Sequence, residues 1–262
     1  MAARNNWSKE ETIVAFYVYC IVPFTTSSQT HPVIVQYANL LGRSASALNM
    51  KIGNIGRLDP ELQKRNITGL VHGAKMEKLV WDEFNRDREK LVYEAEKIIE
   101  ERSRQSVENQ YLQSEEMNYS SQDKMRLIKT RMNQRFFRSS VLAAYHSTCA
   151  ITGTQVKEFL VASHIKPWAV DKENRLNPRN GICLNAIHDK AFDRGLITID
   201  NDYRVVVSRR LKEFYTNELI EYAFKTYEGH TILVPSKFAP SISFLQYHQD
   251  VIFEKAEMTA DA

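Results

Sequence analysis

His164 stands in the run Ala162-Ser163-His164-Ile165-Lys166-Pro167-Trp168, directly after the β-prone Phe159-Leu160-Val161, so its imidazole is expected at a strand end. Asn180 belongs to the basic loop 174–181, and His188 falls inside residues 182–192, which read as a helix. A His at a strand end, an Asn in a basic loop and a His on the next helix can converge on one point. Hydrolysis of a phosphodiester needs such a set. A neutral imidazole takes a proton from water, and a hard divalent cation stabilises the charge that develops on phosphate. Each residue taken singly also has a structural reading: a satisfied core histidine, a turn asparagine before Gly181, or, for Asp193 before Arg194-Gly195, the end of a helix.

Elements on either side must position these groups. Upstream, Lys124, Arg126, Lys129, Arg131, Arg135 and Arg138 form a run of six cations with no acid before His146. A helix would place Arg131, Arg135 and Arg138 on one face, suited to tracking phosphates, and Phe136, Phe137 and Leu142 on the other. Lys166 and Arg179 add cations beside His164 and Asn180 and join the expected DNA contacts. Downstream, residues 196–207 read as a hairpin turning at Asp200-Asn201-Asp202, followed by a helix over 211–224.

The N-terminal part reads as helical. Ser8-Lys9-Glu10-Glu11 is a capping box for a helix with the stripe Ile13, Phe16, Tyr17 and Cys20, ended by Pro23. Pro32 opens a second helix that Gly42 stops, and Ser44 caps a third through Leu48 and Ile52. Two helices around a tight Gly turn fit a helix-turn-helix, which would offer Arg43, Ser46, Asn49 and Lys51 to DNA; a plain packing module is the other reading. From Ala74 to Thr152 there is neither Gly nor Pro, and Leu79, Val80, Phe84, Leu91, Ala95, Ile98 and Ile99 predict one long amphipathic helix over 75–104. That helix could pair with its copy in a homodimer or pack on the chain itself. Residues 105–122 read as a polar linker.

The chain of 262 residues has 43% hydrophobic residues and a net charge of +3, which fits a soluble protein of one or two domains. Only Cys20, Cys149 and Cys183 are present, so a disulfide framework is excluded and a reducing, cytoplasmic setting is expected. The apolar run 12–24 is too short to span a bilayer. The small total charge hides an uneven one: +3 over residues 1–74, −5 over 75–123, +8 over 124–195 and −3 over 196–262. A concentrated positive field in the third block suits a polyanion, because neutralised phosphates release their counterions.

Taken together, Phe136-Phe137-Arg138, Tyr145, Cys149-Ala150-Ile151-Thr152-Gly153, the run 162–168, Arg175-Leu176-Asn177-Pro178-Arg179-Asn180-Gly181 and His188-Asp189-Lys190-Ala191-Phe192-Asp193 resemble the HNH endonuclease family, in its restriction-type branch. Pro240-Ser241 with residues 244–248 is similar to a C-terminal extension of that branch, and the N-terminal unit looks like a module that accompanies such nucleases. The resemblance implies an α+β protein whose ββα-metal domain grips one Mg²⁺ or Mn²⁺ against the scissile phosphate. It implies His164 as general base, Asn180 as the residue that holds the loop and orients the base, and His188 as metal ligand. Ser163 stands where many members carry a ligand, so Asp193 is the expected second ligand, five residues beyond His188. A four-ligand zinc site cannot be assembled from Cys149 and Cys183, which read as buried hydrophobes, and no structural zinc is expected.

The expected organisation is a recognition domain over 1–74, a helix and linker over 75–122, a nuclease domain over 123–200 and a C-terminal extension over 201–262. The expected function is metal-dependent cleavage of double-stranded DNA in restriction or phage defence. The alternative is a DNA-binding protein with an inactive nuclease module.

Overall fold

The computed structural model describes residues 6–24, 27–66, 75–104, 107–113, 116 and 118–254. Two compact units, residues 1–140 and 141–262, divide the chain, and the fold is α+β. The first unit is helical: α1 Lys9–Ile21, α2 Pro32–Leu41, α3 Ala45–Gly56, α4 Pro60–Lys64, α5 Lys75–Phe84, α6 Arg88–Ser103, α7 Val107–Tyr111 and most of α8 Ser121–Ala144. The cationic run 124–138 lies in this unit.

The capping box forms as the sequence predicts, with Ser8 Oγ accepting from the Glu11 N–H and Glu11 Oε2 accepting from the Ser8 N–H. Instead of one buried stripe, every residue from Glu11 to Cys20 is buried, so α1 is the central helix of the unit. Gly42 ends α2 with a left-handed φ of 64°, and Ser44 caps α3 through the Ala47 N–H. The single helix expected over 75–104 is two. The Asp87 side chain accepts from the Lys90 N–H and starts α6 afresh, a local competitor that an uninterrupted apolar rhythm conceals. The stripe itself is used inside the unit. Trp81 stacks on Phe16 at 5.1 Å, Leu91, Val92 and Ala95 are buried, and α1 packs on both helices. The surface offered to a second copy is therefore covered by α1. Within the expected linker, residues 105, 106, 114, 115 and 117 lie outside the described residues, and α7 interrupts the rest.

In the second unit β1 Leu160–His164 pairs antiparallel with β2 Gly181–Asn185, Ser163 opposite Ile182 and His164 opposite Gly181. Residues 182–185, expected as the start of a helix, are thus strand. Helix α9 Ala186–Asp193 begins only at the Asn185 cap and packs on both strands. Strands β3 Ile197–Ile199 and β4 Val205–Val207 form the expected hairpin, turned by Asp200 Oδ1, which accepts from the Asp202 and Arg204 N–H groups. The helix expected over 211–224 is split into α10 Arg209–Lys212 and α11 Glu218–Ala223, the second capped by Asn217. Helix α12 Ile242–Tyr247 continues into a π-helical turn, His248–Ile252. Cys149 and Cys183 are fully buried, as expected of hydrophobes, and Cys149 Sγ accepts from the Asn185 N–H at 3.3 Å. Among the described residues no helix is long and apolar enough to cross a membrane.

Candidate active site

Strand β1 carries His164 to the point where the chain leaves the sheet for loop 165–180. That loop returns to β2 through Asn180, whose side chain is wholly buried. Its Oδ1 accepts from the Lys166 N–H at 2.8 Å and its Nδ2 donates to the Lys166 carbonyl at 3.0 Å. The Ile165 N–H donates to the Asn180 carbonyl at 3.0 Å. An amide is the one side chain that can pair with both sides of a peptide in this way, so Asn180 continues the strand ladder past its end and ties the loop beside His164. Lys166 pairs with Asp171 at 3.1 Å, and its ammonium lies 4.9 Å from the Tyr247 ring centre.

The His164 Nε2 lies 3.0 Å from the Arg175 carbonyl oxygen. A carbonyl can only accept, so Nε2 carries the proton and Nδ1 the lone pair. Trp168 meets the imidazole edge-on at 5.5 Å and is itself covered by the Arg175 guanidinium at 5.1 Å. Burial lowers the His164 pKa from its ordinary value, against a smaller rise from the Arg175 carbonyl. The ring is therefore neutral at neutral pH.

Helix α9 forms the facing wall. Asp189 and Asp193 are four residues apart, on one face of the helix, and both line an open cleft of about 540 Å³ with Ser163, His164, Lys190 and Arg194. Partial burial raises the pKa of both carboxyls, and the Asp189 charge adds to the rise at Asp193. The Ser163 hydroxyl lies near enough to Asp189 to oppose that rise, yet its oxygen is buried without a hydrogen bond of regular geometry. Two carboxylates and a hydroxyl are hard oxygen donors, the type that Mg²⁺ and Mn²⁺ prefer. Among the described residues no group of three or more His, Cys, Asp or Glu side chains gathers as a ready metal cage.

The geometry corrects the expectation at His188, which does not line this cleft. Its ring is 2% exposed, with Nδ1 2.9 Å from Asn185 Oδ1 and Nε2 2.7 Å from the Ala223 carbonyl. Asp189, the next residue, takes the place facing the cleft. Its signal was legible in the sequence: the offset of five from His188 to Asp193 does not share a helical face, whereas the offset of four from Asp189 does.

The expected DNA contacts of the first unit are largely engaged within it. Arg43 donates to both Glu11 oxygens, at 3.0 and 2.7 Å. Burial would raise the Glu11 carboxyl, but Arg43 and the Ser8 N–H hold it below its ordinary value. Lys51 is 5% exposed and paired with Glu77 at 2.8 Å. Asn49 Oδ1 accepts from Ser27, while Ser46 is exposed. Arg131 is bound to Glu116, with one bond at 2.7 Å, and Arg135 lies 5.7 Å from the Tyr111 ring centre. Arg138 is exposed, and Arg179 lies 5.8 Å from the Phe238 ring centre. Helices α2 and α3 are joined through Gly42, and the two cations of this segment, Arg43 and Lys51, are paired within the unit.

Residues 149–200 match the family model described as HNH endonuclease, a span that contains β1, loop 165–180, β2, α9 and β3. No curated protein matches the chain. The chain thus carries an HNH endonuclease domain over residues 149–200, and that domain supports a nuclease, a phosphodiester hydrolase.

Proposed function

We propose that the chain is a metal-dependent endonuclease that cuts double-stranded DNA in the cleft between β1 and α9. The observation that carries this reading is the convergence of His164 with Asp189 and Asp193 on one cleft. His164 is the general base. The Arg175 carbonyl fixes its tautomer, so Nδ1 accepts the proton of the attacking water. Asn180 positions the base by fixing the loop that carries both Lys166 and the Arg175 carbonyl. Asp189 and Asp193 would hold one Mg²⁺ or Mn²⁺, hard cations that prefer carboxylate oxygens and keep several waters. When bound, that ion supplies positive charge against the charge developing on the scissile phosphate. His188 supports α9 from behind, its Nε2–H donating to the Ala223 carbonyl at 2.7 Å. Lys190 and Arg194 on the cleft wall supply positive charge for substrate phosphates. A role in restriction or phage defence follows from the branch that the sequence resembles. Incubation with supercoiled plasmid tests the reading: relaxed or linear product with Mg²⁺ or Mn²⁺ and none with EDTA is expected, and intact plasmid with every ion would leave a DNA-binding role instead.

A further inference from the structure

Beside the cleft lies a second pocket of about 220 Å³, lined by Arg194, Ser208, Arg209, Arg210 and Glu254. Arg194 lines both cavities, so the two are neighbours. All three arginines are exposed, and no guanidinium among them makes a hydrogen bond or ion pair with a described residue. The arginines expected from the sequence to track phosphates, Arg131 and Arg135, are by contrast engaged inside the first unit.

One carboxylate occupies this cationic pocket. Glu254 Oε1 accepts from the Arg209 N–H at 2.8 Å. It arrives there because Gly195 lets the tail pass close: its φ is 64°, and a Cβ at that position would meet the Ile252 carbonyl oxygen at 2.2 Å. The Glu254 N–H then donates to the Gly195 carbonyl at 3.1 Å. A pocket lined by three arginines and already entered by an acidic side chain matches the chemistry of a phosphodiester, an oxyanion with more acceptor oxygens.

We propose that this pocket seats a backbone phosphate of DNA other than the one being cut, and that Glu254 holds the seat until DNA displaces its carboxylate. The inference rests on the nuclease reading for its ligand, and its test does not depend on cleavage. Binding of a 20-base-pair duplex to the full chain is measured in EDTA over a series of salt concentrations, so that no strand is cut. Arg209→Ala/Arg210→Ala should weaken binding about tenfold and lower the slope of log affinity against log salt by about one, the change for one lost phosphate contact. Glu254→Gln should act in the opposite direction, tightening binding about threefold by removing a like charge from the seat. A double variant with unchanged slope, or a Glu254→Gln chain that binds no better, overturns the seat while wild-type cleavage leaves the nuclease reading intact. Failure of the wild-type chain to bind the duplex overturns both.

Discussion

At His164 the two forces on the imidazole have opposite signs, and burial wins, so the proton-accepting form persists below the ordinary histidine range. The acid limb of cleavage should therefore fall below about pH 6.5. A profile of kcat/KM against pH checks this, and a limb at or above that value contradicts it. The neighbouring helix gives a second test that separates ligand from scaffold. Asp189→Asn and Asp193→Asn should each raise the Mg²⁺ concentration for half-maximal cleavage by at least about tenfold. His188→Ala should leave that requirement unchanged and cost about 1–3 kcal/mol of stability, the range for a buried acceptor, here the Ala223 carbonyl, left unpaired. Titrating metal against cleavage and urea against fluorescence for the three variants distinguishes them. The positions of His164 at a strand end and of Asn180 at the close of the loop were legible in the sequence because their neighbours are continuous along the chain. The shared face of Asp189 and Asp193 was legible from their offset of four, but the start of their helix was not, because the short apolar run 182–184 fits a strand and a helix alike.

Helix ends assigned from a cap residue in the sequence fall where that residue puts them. Ser8 with Glu11, Gly42 and Ser44 all do locally what their residue types dictate. Elements defined only by apolar rhythm were misjudged in length, as in the helix that Asp87 restarts and the one that Asn217 restarts. Charges were the least legible, since a lysine on a predicted recognition helix and a lysine buried against Glu77 look alike in one dimension. This makes α3 a place to test packing against recognition. Lys51→Ala leaves the Glu77 carboxylate buried and uncompensated, and should cost about 3–5 kcal/mol of stability in the first unit. Chemical denaturation checks it; a fully stable variant that loses only DNA affinity would restore Lys51 to a recognition surface. Asn180→Ala, which removes both rungs between loop 165–180 and β2, should cost about 1–3 kcal/mol and lower cleavage further than stability alone explains.

On the scale of the whole molecule, the C-terminal turn fastens the second unit through one neutral histidine. His248 stacks on Phe192 at 3.7 Å, its Nε2 donates to the Phe192 carbonyl, and its Nδ1 accepts from the Thr198 hydroxyl. Burial depresses its pKa to about 4, against a smaller rise from the Phe192 carbonyl. The unfolded chain, titrating near 6.5, then binds more protons than the folded one. Stability is fully present above about pH 6.5 and is lost as pH falls toward 4, by roughly 3 kcal/mol from this group. Unfolding free energy measured across that window should fall for the wild-type chain and fall less for His248→Gln; parallel curves would contradict the assignment. The account as a whole depends on one cleft in which a neutral imidazole removes a proton from water beside two carboxylates. Its most direct test is the single-turnover cleavage rate of His164→Ala on duplex DNA with Mg²⁺, with duplex binding measured in parallel in EDTA. Unchanged binding with a rate at least about a hundredfold below wild type is the predicted result, and cleavage at the wild-type rate would contradict the account.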